Sequence, residues 1–135
     1  MKRILLVDDE AHVLRVIKLN LERNGFNVET ALSGEIALGM LRDSTGDESF
    51  DVVITDVDMP VMSGCELAQF IRRDFGVDSP VVFLVGDDVQ SNVPEILKEA
   101  RYAELVDKPM SLRWLVARIN DYFGQFDGAI VPAAN

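Results

Sequence analysis

Five short apolar runs recur along the chain and alternate with segments of helical periodicity. The runs cover residues 3–7, 26–30, 51–55, 80–85 and 103–106. Three of them are almost uninterrupted Val, Ile, Leu or Phe, which is typical of strands buried on both faces of a parallel sheet. Alternating strands and helices place helices on both faces of that sheet, and right-handed crossovers then predict a doubly wound α/β fold.

Between these runs, apolar residues recur with the period of an α-helix. The stripes predicted to face inward are Val13, Leu14, Ile17 and Leu21; Ile36, Met40 and Leu41; Leu67, Phe70 and Ile71; and Leu112, Leu115, Val116 and Ile119. Ser33 and Ser111 are the predicted N-caps, because a serine oxygen accepts from a free N–H group of the first turn. Gly25, Gly76 and Gly124 are the predicted helix ends.

Length and composition predict a single domain over residues 1–124, with residues 125–135 as a tail or the start of a linker. A helix over 92–100 requires its proline to lie in the first turn. The 23 acidic and 13 basic residues give a net charge of −10, which counts against direct binding of nucleic acid or of an anionic membrane.

The one cysteine, Cys65, excludes an internal disulfide. With no apolar run long enough for a signal peptide, a cytoplasmic location is expected.

Acidic residues follow the strands that would lie at the centre of the sheet. The strand ends read Asp8-Asp9-Glu10, Asp56, Val85-Gly86-Asp87-Asp88 and Asp107-Lys108-Pro109. In an open parallel sheet, ligands bind at the carboxyl ends of the strands, so these side chains share one edge. Clustered carboxylates repel one another, and a divalent cation such as Mg2+ with oxygen ligands relieves that repulsion.

The charges at this edge suit a phosphoryl group. Asp8, Asp9 and Asp56 carry −3, which Mg2+ together with Lys108 would balance. A carboxylate can attack phosphorus, while a metal ion and an ammonium stabilise the transferring oxygens. The pattern therefore predicts phosphoryl attachment at the carboxylate that ends the third strand.

Residues 2–124 resemble the receiver domains of two-component response regulators. The resemblance rests on three motifs in the expected order, "LLVDDE" (5–10), "VVITDVDMPVMSG" (52–64) and "LVDKPM" (105–110). It implies a flavodoxin-like (βα)5 fold with a five-stranded parallel sheet in the order 2-1-3-4-5. It also implies a signalling switch with slow self-dephosphorylation rather than a turnover enzyme.

The resemblance also implies roles for individual residues. Asp56 would be the phosphoacceptor, Lys108 would contact the phosphoryl oxygens, and the bond from Lys108 to Pro109 would be cis. Mg2+ or Mn2+ would be held by four residues, namely the side chains of Asp9 and Asp56, the backbone carbonyl of Asp58, and Asp8 in an assisting role. The phosphodonor would be a sensor histidine kinase or a phosphotransfer protein. The output domain or partner, and whether the chain forms a homodimer, stay open.

Two positions depart from the family's pattern. Val85 stands where members usually have Thr or Ser, and Leu105 stands where they usually have Tyr or Phe. Neither hydrocarbon can hydrogen-bond to a phosphoryl group. We expect phosphorylation to survive, with on the order of one to a few kcal/mol of phosphoryl stabilisation lost. We expect the conformational response to be weak or to follow a different route through the structure.

Other interpretations of the same residues remain at this point. Asp8 and Asp9 alone could cap a helix. The motif "DVDMPV" also resembles that of haloacid-dehalogenase-type phosphatases, although Pro60 occupies a position where that family has Thr or Val. A non-phosphorylated interaction module with the same fold is a further alternative. His12 is expected at the surface, and Trp114 is expected to pack rather than to contact a cofactor.

Overall fold

The structure is a computed structural model that describes residues 1–89 and 103–127, with side chains as far as residue 124. The helix expected over 92–100 and the tail beyond residue 127 lie outside the described residues. In the part that is described, no helix is long and apolar enough to cross a membrane.

Five parallel strands form one sheet. They are β1 (Arg3–Val7), β2 (Asn27–Ala31), β3 (Val52–Asp56), β4 (Val81–Gly86) and β5 (Ala103–Asp107). Their order is β2-β1-β3-β4-β5, and all four pairings are parallel. The doubly wound, flavodoxin-like fold is therefore confirmed, and each strand begins and ends within one residue of its predicted bounds.

Within the described residues, four α-helices pack on this sheet. They are α1 (Ala11–Arg23), α2 (Gly34–Asp43), α3 (Gly64–Phe75) and the C-terminal helix (Leu112–Asp127). Helix α3 ends as predicted at Gly76, whose φ of 55° lies in the left-handed region. The end predicted at Gly124 is wrong, because the C-terminal helix continues to Asp127. A glycine inside a helix costs only about 1 kcal/mol relative to alanine, so it does not end a helix by itself.

Successive side chains of a strand point to opposite faces, which gives the sheet two cores. Ile4, Leu6 and Phe83 face α1 and the C-terminal helix, whereas Leu5 and Leu84 face α2 and α3. This two-sided burial is what the near-continuous apolar runs predict.

Two apolar side chains lie outside these cores, contrary to the sequence-based expectation. Ile36 is 52% exposed, because the buried stripe of α2 runs through Ala37, Leu38 and Leu41. Trp114 is 43% exposed, since the neighbouring Leu115 takes the buried position on the C-terminal helix. Helical periodicity predicts which apolar residues share one face of a helix. Packing against the sheet then decides which of those residues are buried.

A polar cluster holds the C-terminal helix against the edge strand β5. Arg118 donates to both oxygens of Glu104, and the Tyr122 hydroxyl donates to Glu104 Oε2 at 2.7 Å. The Arg118 guanidinium, followed by the Tyr122 hydroxyl, lowers the pKa of Glu104 against the opposing effect of burial. Burial and the bond to the Glu104 carboxylate raise the pKa of Tyr122 to about 12.

Replacing Tyr122 with Phe should lower the free energy of unfolding by about 1 to 2 kcal/mol near pH 7, because a hydrogen bond to a charged acceptor is lost. The unfolded phenol ionises near pH 10, whereas the folded protein retains the proton to about pH 12, so the wild type loses stability as the pH rises through this window. Urea denaturation between pH 7 and pH 11 should show the difference between the two proteins shrinking above pH 10. A difference that is constant with pH would contradict the proposed contact.

Candidate functional site

Three carboxylates meet where β1 and β3 end. Asp8 follows β1 directly and Asp56 is the last residue of β3, and one oxygen each of Asp8, Asp9 and Asp56 lies within 4.8 Å of the others. Asp8 is only 7% exposed, the Asp56 side chain is largely buried and Asp9 is exposed. The parallel register that pairs Val7 with Thr55 brings these strand ends to the same level.

Helix capping does not explain this cluster. The N-cap of α1 is Glu10, and its side chain makes no cap hydrogen bond. Asp8 Oδ1 instead accepts from the Glu10 N–H at 2.9 Å, which orients the Asp8 carboxylate at the end of the strand. The acidic residues therefore require another explanation than a helix terminus.

The electrostatics of the cluster fit a hard divalent cation. Burial is the main cause that raises the pKa of Asp8, and the neighbouring Asp56 charge raises it too, while the Glu10 N–H and Lys108 act in the opposite direction. A buried carboxyl whose charge is disfavoured in this way is stabilised by a cation that accepts its oxygen as a ligand. Three carboxylates at this separation supply the oxygen donors that Mg2+ prefers.

Lys108 enters the site from the end of β5. Its Nζ lies 3.5 Å from Asp56 Oδ2, and its side chain is 41% exposed against 10% for Asp56. Its backbone N–H donates to the Gly86 carbonyl at 2.9 Å, and the peptide bond that leads to Pro109 is cis. The ammonium group therefore reaches a largely buried carboxylate while the lysine side chain remains partly open to solvent.

The loop from β3 to α3 is shaped around the Asp56 carboxylate. The Asp58 N–H donates to Asp56 Oδ1 at 3.2 Å, and the Asp58 side chain faces solvent. Val61 has a φ of 71° and is 88% exposed, an unusual conformation for a β-branched residue. The loop closes at Gly64, whose N–H donates to the Val57 carbonyl at 3.0 Å.

Gly64 lies directly against the backbone that carries the predicted phosphoacceptor. A Cβ atom placed there would lie 2.9 Å from Val57 Cα and closer still to the Asp56 carbonyl oxygen. A real Cβ needs more space than this, so the loop backbone would have to move. The Ser-Gly pair that ends the motif over 52–64 therefore has two roles. Gly64 allows the close approach of the loop backbone, and Ser63 forms a capping box with Glu66 on α3.

Replacing Gly64 with Ala should lower the free energy of unfolding by about 2 to 3 kcal/mol, because the methyl group overlaps fixed backbone atoms. Gly39 on α2 is the matched control, since a Cβ atom added there would meet nothing within 4 Å. Gly39→Ala should raise the free energy of unfolding by about 0.5 to 1 kcal/mol through helix propensity. Urea denaturation compares the three proteins, and equal stability of the two variants would contradict the close approach.

A cavity of about 500 Å3 opens beside Asp56 and Lys108 and extends toward α1. Its apolar wall is formed by Leu6, Val13, Ile17, Ile54, Val85 and Met110. Val85 is paired with Asp56 across β3 and β4, so its hydrocarbon side chain stands next to the carboxylate. Asp8 and Asp87 lie at the same cavity, whereas Asp88 is exposed and is not part of its lining.

Leu105 lies apart from this cavity. It packs with the core on the α2 and α3 face, and with Pro109 and Trp114 it lines a separate shallow groove. The two positions that depart from the family's pattern therefore sit in different surroundings, one beside the carboxylates and one beside the exposed tryptophan.

Two polar contacts at the site were not expected from the sequence. Asp107, which had no assigned role, accepts the Val89 N–H at 2.7 Å through Oδ1. The fully buried Thr55 donates its hydroxyl to the Asp56 carbonyl at 3.0 Å. One feature of the sequence hinted at the Asp107 contact, namely an aspartate next to the lysine at the end of the fifth strand. No feature of the sequence hinted at the Thr55 contact.

The structure thus combines a doubly wound, flavodoxin-like parallel sheet with carboxylates from two strand ends and a lysine from a third. The chain belongs to the response regulator receiver domain family of two-component systems, whose model matches residues 4–120. Receiver domains are signalling switches and in general are not enzymes. This membership removes the haloacid-dehalogenase-type interpretation.

Curated relatives and solved structures agree with this assignment. The chain is 32% identical over 121 residues to the alkaline phosphatase synthesis transcriptional regulatory protein SphR of Synechococcus elongatus, in an alignment that covers 86% of the chain and 46% of the relative. It is 29% identical to the nisin biosynthesis regulatory protein NisR of Lactococcus lactis, covering 87% of the chain and 48% of the relative. The chain thus spans about half the length of these relatives.

Among solved structures, a response regulator receiver domain protein of Clostridium thermocellum superposes with a TM-score of 0.79 at 29% identity, covering 96% of this chain and all of the other. The response regulator TrrA of Thermotoga maritima, solved in complex with Mg2+ and BeF, superposes with a TM-score of 0.75 at 30% identity, covering 90% of this chain and 98% of the other.

Proposed function

We propose that this receiver domain accepts a phosphoryl group on Asp56 from the phosphohistidine of a sensor histidine kinase or phosphotransfer protein. The observation that carries the proposal is the position of Asp56, which touches both the acidic cluster and the Lys108 ammonium. An isolated carboxylate could not offer both a cation site and a positive partner for the phosphoryl oxygens.

In this reaction an Asp56 oxygen forms the new bond to phosphorus, and the bond between phosphorus and the donor imidazole nitrogen breaks. The imidazole leaves with the bonding electron pair and takes a proton from solvent. Lys108 moves its charge from Asp56 Oδ2 to the incoming phosphoryl oxygens, a short transfer from its 3.5 Å position. The Asp58 N–H orients Asp56 through Oδ1.

Asp8, Asp9 and Asp56, with the backbone carbonyl of Asp58, would hold Mg2+ or Mn2+, which when bound neutralises charge on the transferring group. The relative TrrA was solved with Mg2+ and BeF, a mimic of a phosphoryl group, and its sheet superposes on this one. That likeness supports a metal ion and a phosphoryl group as ligands of this domain.

The test is intact-protein mass spectrometry after incubation with acetyl phosphate, with Mg2+ and with excess chelator. The wild type should gain the mass of one phosphoryl group only when Mg2+ is present, and Asp56→Asn should gain none. Asp58→Asn is the matched control, because it removes a nearby exposed charge but keeps the backbone carbonyl, and it should still be modified. Modification of Asp56→Asn to the same extent would refute the assignment of the acceptor.

A non-phosphorylated interaction module remains the second candidate, and the hydrocarbon at position 85 is the observation that favours it. Its prediction is opposite in the same experiment, since neither a mass increase nor binding of Mg2+ would be seen. Calorimetric titration of Mg2+ into wild type and Asp9→Asn separates the two, because only a working site loses affinity when this exposed carboxylate is removed.

We further propose that residues 1–124 form the receiver and that residues 125–135, the first three of which continue the C-terminal helix, are a tail or linker. SphR and NisR are regulatory proteins about twice as long as this chain, so the output would come from another segment or another protein. With a net charge of −10 the domain itself would not bind nucleic acid directly. We place it in the cytoplasm, where histidine kinases meet their receivers.

Replacing Val85 with Thr should raise the affinity for beryllofluoride by about tenfold, because the new hydroxyl can donate to the ligand beside Asp56. Without a ligand the same hydroxyl lies in a mostly apolar wall, so the free energy of unfolding should fall by about 1 kcal/mol. Val85→Ala changes the volume without adding a donor and is the control. If Val85→Thr leaves both the affinity and the phosphoryl lifetime unchanged, the missing hydroxyl has no functional consequence.

A further inference from the structure

Two neighbouring residues at the end of β5, Asp107 and Lys108, form hydrogen bonds with the turn that follows β4. The Lys108 N–H donates to the Gly86 carbonyl at 2.9 Å, and Asp107 Oδ1 accepts from the Val89 N–H at 2.7 Å. Asp107 lies opposite Gly86 in the strand register, so its side chain reaches over the turn to the residue that ends it. A carboxylate acceptor makes this the stronger kind of hydrogen bond.

The same turn also packs against the phosphoacceptor strand. A Cβ atom on Gly86 would lie 3.3 Å from Val57 Cβ and 3.3 Å from Val89 Cγ2, so these two side chains close over the glycine. Val89 is buried, and the Val57 N–H donates to the Val85 carbonyl at 2.9 Å. The residue directly after Asp56 is therefore in contact with the turn that Asp107 holds.

These contacts form a closed ring around the site. It runs from Asp56 to Val57, whose N–H donates to the Val85 carbonyl, and then along the chain to Val89. From there it passes through Asp107 to Lys108 and returns to Asp56 across the 3.5 Å separation of Lys108 Nζ and Asp56 Oδ2. Each link is a covalent neighbour, a hydrogen bond, an ion pair or a packed side chain. A change in the Lys108–Asp56 contact therefore acts on the turn from both sides.

We propose that Asp107 is a positioning residue that couples Lys108 to the turn over residues 86–89. The inference rests on the proposed function, since the signal is the transfer of the Lys108 charge from Asp56 to a phosphoryl group. Val85 and Leu105 offer hydrocarbon only, so neither can bind the phosphoryl group and report its presence to the turn. Within residues 1–89 and 103–124, Asp107 supplies a side-chain hydrogen bond that joins the lysine-bearing strand end to that turn.

The test is 1H–15N NMR of the wild type, Asp107→Ala and Asp107→Asn, each with and without Mg2+ and beryllofluoride. The Val57 amide reports binding at Asp56, and the Val89 amide reports the turn. In the wild type both signals should shift on binding. In Asp107→Ala the Val57 signal should still shift while the Val89 shift becomes smaller, because only the route through Val57 remains. Asp107→Asn should restore the full Val89 shift because its amide oxygen can accept the same N–H.

Hydrogen exchange of the ligand-free proteins gives a second readout. The Val89 amide should exchange about tenfold faster in Asp107→Ala than in the wild type, and Asp107→Asn should lie close to the wild type. This measurement needs no phosphoryl group, so it tests the bond separately from its use in signalling.

The outcomes separate this inference from the function on which it rests. If Val57 shifts and Val89 does not shift in the wild type, or if Val89 shifts equally in Asp107→Ala, coupling through Asp107 is overturned while the phosphoacceptor role stands. If no signal shifts in any of the three proteins, the phosphoacceptor role fails and the coupling fails with it.

Discussion

Mutual repulsion among Asp8, Asp9 and Asp56 is the constraint on which the rest of the site depends. Their oxygens lie within 4.8 Å of one another, and burial makes the charge of Asp8 still less favourable. Two parallel strands with apolar residues on both faces hold the carboxylates in place despite this cost. Lys108 offsets part of the charge, and the remainder is what a bound cation would neutralise in the proposed phosphoryl transfer.

The fold was predictable because strands buried on both faces have a recognisable sequence pattern. Strands buried on both sides need nearly continuous apolar residues, and each run became a strand within one residue of its expected bounds. The errors arose where a local rule competes with packing. Gly124 did not end the last helix, since its cost there is small, and Ile36 and Trp114 are exposed because a neighbouring side chain took the buried position.

The site was predictable only as far as strand ends determine it. Asp8, Asp9, Asp56 and Lys108 follow strands of one parallel sheet, so topology alone brings them to the same edge. The Asp107 bond to Val89 and the tight approach of Gly64 depend on turn geometry and on atoms distant in sequence. Composition and periodicity carry no information about either, and the cavity beside Val85 likewise follows from how closely α1 approaches the sheet.

Trp114 gives the protein an intrinsic fluorescent probe. It is the one tryptophan in the sequence, it is partly exposed, and it shares a groove with Leu105 and Pro109, the residue after Lys108. Indole emission follows the polarity of its surroundings, so the tryptophan fluorescence of the protein reports on the neighbourhood of the loop that carries the lysine. The fold thus places a natural chromophore beside the residue whose charge would move in the proposed phosphoryl transfer.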